Sequence, residues 1–506
     1  MNDTSKSAIK PIYKALTVFT LYLLILYILR KFILYLSKKY FGLENPYALA
    51  WIFGIALIIR FVYTLVIYMS MGPDGLLYED SSLYIALAQD FIESGNFQRE
   101  ISDGGYVNET ERMPLYIIYL AIHQIIIGST DPLFPSLTQG VLGSITCIVI
   151  AKMAGIINRR YFLIAGLFAA CNPTMVIIGT NILTEGIFFF LTTYSLYFSM
   201  MWLKKPSWKI VAYLGFILAL AVSTRVMALP WVAICLFILP IGSILLSNFK
   251  LSQIGQMILI LFIVLALQTP ILVRNISQYD TWSLTSQTGT HSLNWLVPLV
   301  LEVSDGTPQA EGAKIMKEKY AALYGDKNLN NPFEKSDNMQ AVAIDELTKI
   351  NTGTIIKAWI LGAGINLFSP SLILSPPVKQ IPRTGFYETS GDSKIEKVKN
   401  FLLKNDSPIY AWVLIISLIC LLLTRLLQLG GMAHILINRS YFRDKNIFYI
   451  NKIIFIFLLI WVSYIIFING PIASPKYRLP IEPIAAITFS AAFYSIYDWF
   501  QKKKKL

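Results

Sequence analysis

The sequence predicts an all-α polytopic membrane protein of about ten or eleven transmembrane helices, with two surface helices in its first outer loop. Three observations predict it. The 506 residues are 55% hydrophobic and only 14% charged. The apolar residues gather in runs of about 20, the length that crosses a bilayer core. Lysine and arginine crowd the short gaps between those runs, as they do on the cytoplasmic side of membrane proteins.

The runs lie near 50–71, 133–156, 161–178, 181–203, 226–247, 255–273, 408–429, 449–469 and 481–499, with a shorter one near 208–223. An eleventh, 15–36, contains Arg30 and Lys31 and either spans or lies at the interface. The gaps hold Lys38, Lys39, Arg159, Arg160, Lys204, Lys205, Lys209, Lys250, Arg425, Arg439, Arg443, Lys445, Lys452 and the terminal Lys502 to Lys505. Against these 17 bases stand two acids, Glu44 and Asp444. One orientation puts all of them inside: 50–71 runs outward and 481–499 inward, leaving the C-terminus cytoplasmic. The net charge of +13 therefore belongs to a membrane surface and not to a nucleic-acid partner.

Two large loops then face outward. The first, 72–132, has ten acids and only Arg99 and Arg112 as bases. In 81–95, Leu83, Leu87 and Phe91 recur every four residues, which predicts a surface helix. The apolar stretch 114–128 predicts a second surface or re-entrant helix, because parity forbids it to cross. The other loop, 276–407, balances 14 acids with 13 bases and reads as a small folded insert, with 354–374 at the interface. The chain so divides into an N-terminal extra helix (1–48), a catalytic membrane module (49–275), an extracytoplasmic loop region (276–407) and C-terminal transmembrane helices (408–506). Cys147, Cys171, Cys235 and Cys420 all lie in apolar runs and form no CxxC pattern. The three histidines are scattered, which argues against a histidine-rich metal site.

Polar groups that could do chemistry fall on the outer face. Glu79-Asp80 precedes the first surface helix; a carboxylate there either accepts a proton from an attacking hydroxyl or caps the helix. Glu111-Arg112-Met113-Pro114 opens the second surface helix, with Pro suited to a first turn. Arg112 offers a fork of donors to a phosphate, or anchors to any headgroup. Glu185, near the outer end of its span, is costly there unless it functions or reaches the headgroup layer. Arg225, Arg274, Lys476 and Arg478 are cations at outer span ends, where the charge rule disfavours them; singly each suits a headgroup anchor, and together they point to a bound anion. Tyr477 lies between the last two. His291 is a lone loop histidine, structural or solvated, and a minor candidate.

These pieces, in this order, resemble the GT-C glycosyltransferases, in particular the branch of protein O-mannosyltransferases and aminoarabinose lipid A transferases. The matching stretches are Tyr78 to Tyr84, Glu93 to Phe97, Glu111 to Tyr116, Asn172-Pro173 with Leu183 to Glu185, Thr224-Arg225, Pro270 to Asn275, and Lys476 to Pro483. The acidic pair is Glu79-Asp80 where many relatives begin with Asp, and Lys476-Tyr477-Arg478 stands for a common Arg-Tyr-Arg. The resemblance implies a sugar transferred from a polyprenyl-phosphate donor to an acceptor hydroxyl on the extracytoplasmic face, with inversion. It implies Asp80 as the catalytic carboxylate and Arg112, Arg274 and Arg478 on the donor phosphate; Glu79 stands beside Asp80 as a further candidate, and Glu185 either orients the acceptor or balances the cations. It requires no cofactor; a divalent metal between Asp80 and Glu185 is allowed but not needed. The partners are the lipid-linked donor and a lipid, glycan or protein acceptor, and a bacterial inner membrane suits the topology. Two rival readings are an oligosaccharide ligase or polymerase and a transporter or flippase; a transporter usually has repeats and midplane charges, and neither is visible.

Overall fold

A computed structural model describes residues 46–100, 105–325, 331–381, 394–404, 408–437 and 445–503. The segment 15–36 and the last three residues lie outside them. Among the described residues, eight helices are long and apolar enough to cross a membrane: Tyr47–Met71, Leu133–Ile157, Thr184–Lys204, Ala228–Leu245, Ser252–Tyr279, Ile409–Ile437, Phe448–Asn469 and Pro475–Gln501. Each coincides with a run predicted from the sequence. The chain is an all-α integral membrane protein.

Two predicted spans take another form. The run 161–178 is broken: Arg159–Cys171 and Pro173–Thr180 meet at 51°. Pro173 lacks the N–H that a continuous helix needs. Asn172 turns extended, and its side-chain oxygen accepts from the backbone N–H groups of Thr174 (2.9 Å) and Met175 (3.4 Å). The run 208–223 becomes Trp208–Thr224, 17 residues, shorter than the other spans.

The broken span explains a buried charge that the sequence reading passed over. Arg60, 1% exposed, sits inside the first span. Its guanidinium donates to the carbonyl of Ala170 (3.3 Å) and to that of Ala56 (3.1 Å). Ala170 closes the first half of the broken span, where helix carbonyls lack partners and a cation is favoured.

Both surface helices of the first loop are present, as Ser81–Ser94 and Pro114–Ile127. Each ends at a glycine in the left-handed region, Gly95 and Gly128, a conformation that costs other residues more. Between them Gln98–Glu100 pairs antiparallel with Tyr106–Asn108, a ribbon too short to read from sequence. The second loop has its own apolar core, in which Leu293, Val297, Leu301, Met316, Val342 and Ala343 are buried together. The apolar stretch near 354–374 is the helix Thr352–Phe368. Its Trp359 donates to the carbonyl of Phe467 (3.3 Å), at the end of Lys445–Asn469.

Arg425 is a correction. The charge count set it in a gap between spans, but it lies inside the 30-residue helix Pro408–Ile437. There it donates to the Leu367 carbonyl (3.2 Å) and pairs with Glu482 (3.0 Å). The run predicted over 408–429 already contains Arg425, and the helix carries the charge there because Glu482 neutralises it. Farther along, a β-carbon on Gly431 would fall inside the Thr488 carbonyl, so this helix and Glu482–Lys503 touch backbone to backbone. Gly431→Val is expected to cost about 1–3 kcal/mol by overpacking, read as a lower thermal midpoint in detergent; an unchanged midpoint would contradict this contact.

Candidate active site

The turn Leu77–Asp80 enters the first surface helix, and its construction decides what Asp80 does. No side chain caps that helix; Ser81 fixes the turn that leads into it. Ser81, fully buried, accepts from the Tyr78 N–H (2.6 Å) and donates to the Ile182 carbonyl (2.7 Å). Asp80 occupies the cap position, but its carboxylate makes no capping hydrogen bond. It points instead toward Arg112, 4.0 Å away, and remains 48% exposed. The two groups stand at the limit of ion-pair distance, and the Asp80 end is half-exposed, so a ligand can part them.

Arg112 is held from behind. The carboxylate of Glu109, 3% exposed, accepts from the backbone N–H of Glu111 (2.6 Å) and of Arg112 (2.8 Å). The Arg112 guanidinium lies 6.0 Å from the Tyr84 ring, and its buried Nε has no hydrogen-bond partner. Glu109 was not among the sequence candidates; a carboxylate two and three residues before the groups it binds reads as one more acid in an acidic loop.

Glu185 and Arg225 form the tightest pair of the group, at 2.7 Å. Glu185 lies in the first turn of Thr184–Lys204, and Arg225 just past Trp208–Thr224. Thr184 supports both, accepting from Arg225 (3.2 Å) and donating to Glu185 (3.2 Å). Burial alone would lower the Arg225 pKa, but the Glu185 charge outweighs it and raises it. Breaking a buried pair by removing one partner costs about 3–5 kcal/mol. Arg225 is therefore committed to Glu185, while Arg112 is available.

The two loops close on each other beside this group. Thr285 donates to the Glu111 carbonyl (2.9 Å), Thr290 to the Glu111 carboxylate (3.4 Å), and the Ser286 N–H to the Thr110 carbonyl (2.9 Å). Gly289 packs on Ser336, where a β-carbon would strike the Ser336 carbonyl. The short helix Gln287–His291 is thereby pressed toward Arg112. Asp80, Arg112, Arg225 and Lys476 all act on the charge of His291. Lys476 lies 5.1 Å from the Tyr78 ring and 5.4 Å from that of Tyr477. Glu79 is exposed and within electrostatic reach of Tyr78, as are Glu185, Lys476 and Tyr477.

Two of the sequence candidates stand elsewhere. Arg274 donates to the Glu109 carbonyl (2.9 Å) and to Asn275 (3.0 Å); it braces the turn that carries Arg112. Arg478, 2% exposed, donates to Glu482 (3.1 Å), Thr174 (2.8 Å) and the Ser369 carbonyl. Glu482 also accepts from Arg425 and from Asn172 (2.8 Å). That network ties the break at Asn172 to the last span. Among the described residues, no three His, Cys, Asp or Glu side chains group closely enough to hold a metal.

Two crystal structures of ArnT from Cupriavidus metallidurans are similar to this chain. For the form bound to undecaprenyl phosphate the identity is 12% and the TM-score 0.35, covering 87% of this chain and 77% of that one. For the apo form they are 13% and 0.34, covering 88% and 77%. No protein-family model matches the chain, and no curated protein sequence matches it.

His291 supplies a pH test. Loss of surrounding water, then the charges of Arg112 and Arg225, lower its pKa to about 4. The residue nevertheless keeps solvent access at the protein surface, and the charges of Arg112, Arg225 and Lys476 lower its pKa there too. A base held below its free value of about 6.5 is neutral in the folded protein at pH 5 to 8. Its contribution to stability is present above the free value and fades as pH falls toward 4. Histidine-labelled NMR, with His291→Asn to assign the signal, is expected to show a neutral ring down to about pH 5; titration near 6.5 would remove the cations from its surroundings.

Proposed function

We propose that this protein is a membrane glycosyltransferase of the GT-C kind, moving a sugar from a polyprenyl-phosphate donor to an acceptor hydroxyl at the extracytoplasmic face. The observation that carries the reading is an uncommitted carboxylate, Asp80, set 4.0 Å from an uncommitted guanidinium, Arg112, at the end of the bundle where the spans deliver Glu185, Arg225 and Lys476. The ordered motifs read from the sequence support the same chemistry. The charge bias of the gaps supports the outward orientation.

The acceptor oxygen attacks the anomeric carbon as Asp80 takes its proton. The bond from that carbon to the lipid phosphate breaks, and the electron pair leaves with the phosphate. Arg112 receives that growing charge, assisted by Lys476; stabilising a departing anion at a site shielded from water is usually the largest catalytic contribution. One displacement inverts the anomeric centre. Arg225 holds Glu185 ionised and in place, where it orients the acceptor. Neutral His291 offers a hydrogen bond at the opening. Arg274, through Glu109, positions Arg112. The reading needs no metal, because the cations do the leaving-group work.

The test is transfer by the purified protein from polyprenyl-phosphate sugars to hydroxyl acceptors. Asp80→Asn is expected to cut turnover about 10²- to 10⁴-fold with little change in donor binding. Arg112→Ala is expected to weaken donor binding and slow transfer together. Normal kinetics in Asp80→Asn would sink Asp80 as the base.

A further inference from the structure

Tyr84 stands one helical turn after Asp80, and its N–H donates to the Asp80 carbonyl (3.2 Å). Its ring is held on two sides. The Tyr116 ring meets it edge to face, with centres 5.1 Å apart, and the Arg112 guanidinium lies 6.0 Å from its centre. Tyr116 is fully buried and is itself fixed. Its hydroxyl donates to Gln139 (2.9 Å), and Gln139 donates to the Asn181 carbonyl (2.6 Å). Asn181 begins the strap 181–183 that leads into the helix of Glu185. On the same strap the Ile182 carbonyl accepts from Ser81 (2.7 Å). The ring of Tyr84 is thus pinned to both segments that carry the acids of the site.

The hydroxyl on that ring has no role inside the protein. A buried tyrosine usually finds a partner for its O–H, yet the Tyr84 hydroxyl makes no hydrogen bond among the described residues. It differs from the hydroxyl of Tyr63, which is sealed in the bundle without a partner. The Tyr84 oxygen stays open, although the residue as a whole is only 8% exposed. Of the charges that act on the phenol, Arg112 is the strongest, followed by Arg225, Glu185 and Asp80. Burial raises its pKa against the pull of the two arginines, so the phenol is neutral at pH 7 and keeps its proton to donate. A donor that faces two guanidinium groups has no acceptor between them in the protein itself; an anion seated there is what it fits.

We infer that Tyr84 is a further catalytic residue of this site, its hydroxyl donating a hydrogen bond to a non-bridging oxygen of the phosphate that Arg112 receives. In making that phosphate the departing group, it rests on the glycosyltransferase reading. No proton is transferred: the phenol keeps its hydrogen, and the phosphate keeps its charge. Arg112 supplies charge, while the phenol adds one directed bond from a ring that Tyr116 holds in place. That bond strengthens as charge gathers on the phosphate, so it favours the transition state over the bound donor.

The test is Tyr84→Phe in the full chain, in zwitterionic nanodiscs. The ring stays, and the hydroxyl that is lost has no protein partner, so an unaltered thermal midpoint is expected. Binding is read with farnesyl phosphate, farnesol and inorganic phosphate. Farnesyl phosphate is expected to bind about tenfold more weakly or worse, as for the loss of one hydrogen bond to a charged group, and farnesol as before. In transfer from a polyprenyl-phosphate sugar, kcat is expected to fall by a similar factor at a nearly constant KM. A loss for inorganic phosphate alone would put a free phosphate there and overturn the assignment to the lipid. Unchanged binding of farnesyl phosphate, an equal loss for farnesol, or no binding of farnesyl phosphate by the wild type would each overturn it as well. So would slower transfer at unchanged phosphate binding, which would give the hydroxyl to the acceptor. Tyr84-dependent binding of farnesyl phosphate, in a protein that transfers no sugar, would instead keep the hydrogen bond and reject the transferase.

Discussion

Lipid does not tolerate an unpaired charge, and that constraint orders this molecule. Inside its spans, the arginines Arg60, Arg425 and Arg478 are each answered by a partner. Arg60 answers the open carbonyl end of a broken helix, and Arg425 and Arg478 share Glu482. These groups are structural cations, spent within the bundle. The groups left over lie at one end, where two loops fold down and water returns. There Arg225 is matched by Glu185, while Arg112 and Asp80 face each other loosely across 4.0 Å. The division between spent and available charge is the physical basis of the proposed chemistry.

The same division explains how residues far from the site shape it. Glu109 turns two backbone N–H groups inward and so aims Arg112, and Arg274 holds Glu109 from the far side. The threonines at 285 and 290 latch the second loop to Glu111, which brings a histidine of one loop beside an arginine of the other. Asn172 opens a bend in one span and donates to Glu482 in another, so the break is tied to the last helix. Each step moves from a local backbone demand to the position of a functional side chain.

Much of this was legible beforehand. Span positions followed from apolar length, and the surface helix over 81–95 from four-residue periodicity, because both are properties of contiguous sequence. Asp80, Arg112, Glu185, Arg225 and Lys476 were legible because charge at the outer end of an apolar run is conspicuous. What was not legible needed contacts between distant segments. The sequence could not say that Ser81 would pin the turn while the Asp80 carboxylate made no capping bond. Arg478 looked as available as Arg112 until Glu482, Thr174 and Ser369 closed around it. Arg425 counted as a gap cation until Glu482 and the Leu367 carbonyl closed around it.

The account depends most on a lipid-borne phosphate lying at Arg112, beside Asp80. Photo-crosslinking reads this directly: a diazirine set next to the phosphate of a polyprenyl-phosphate probe, followed by peptide mapping of the labelled protein. Labels on the peptides around 78–84, 111–116 and 285–291, lost in Arg112→Ala, are the expected result. Labels confined to the opposite end of the bundle, or labelling indifferent to Arg112, would contradict it.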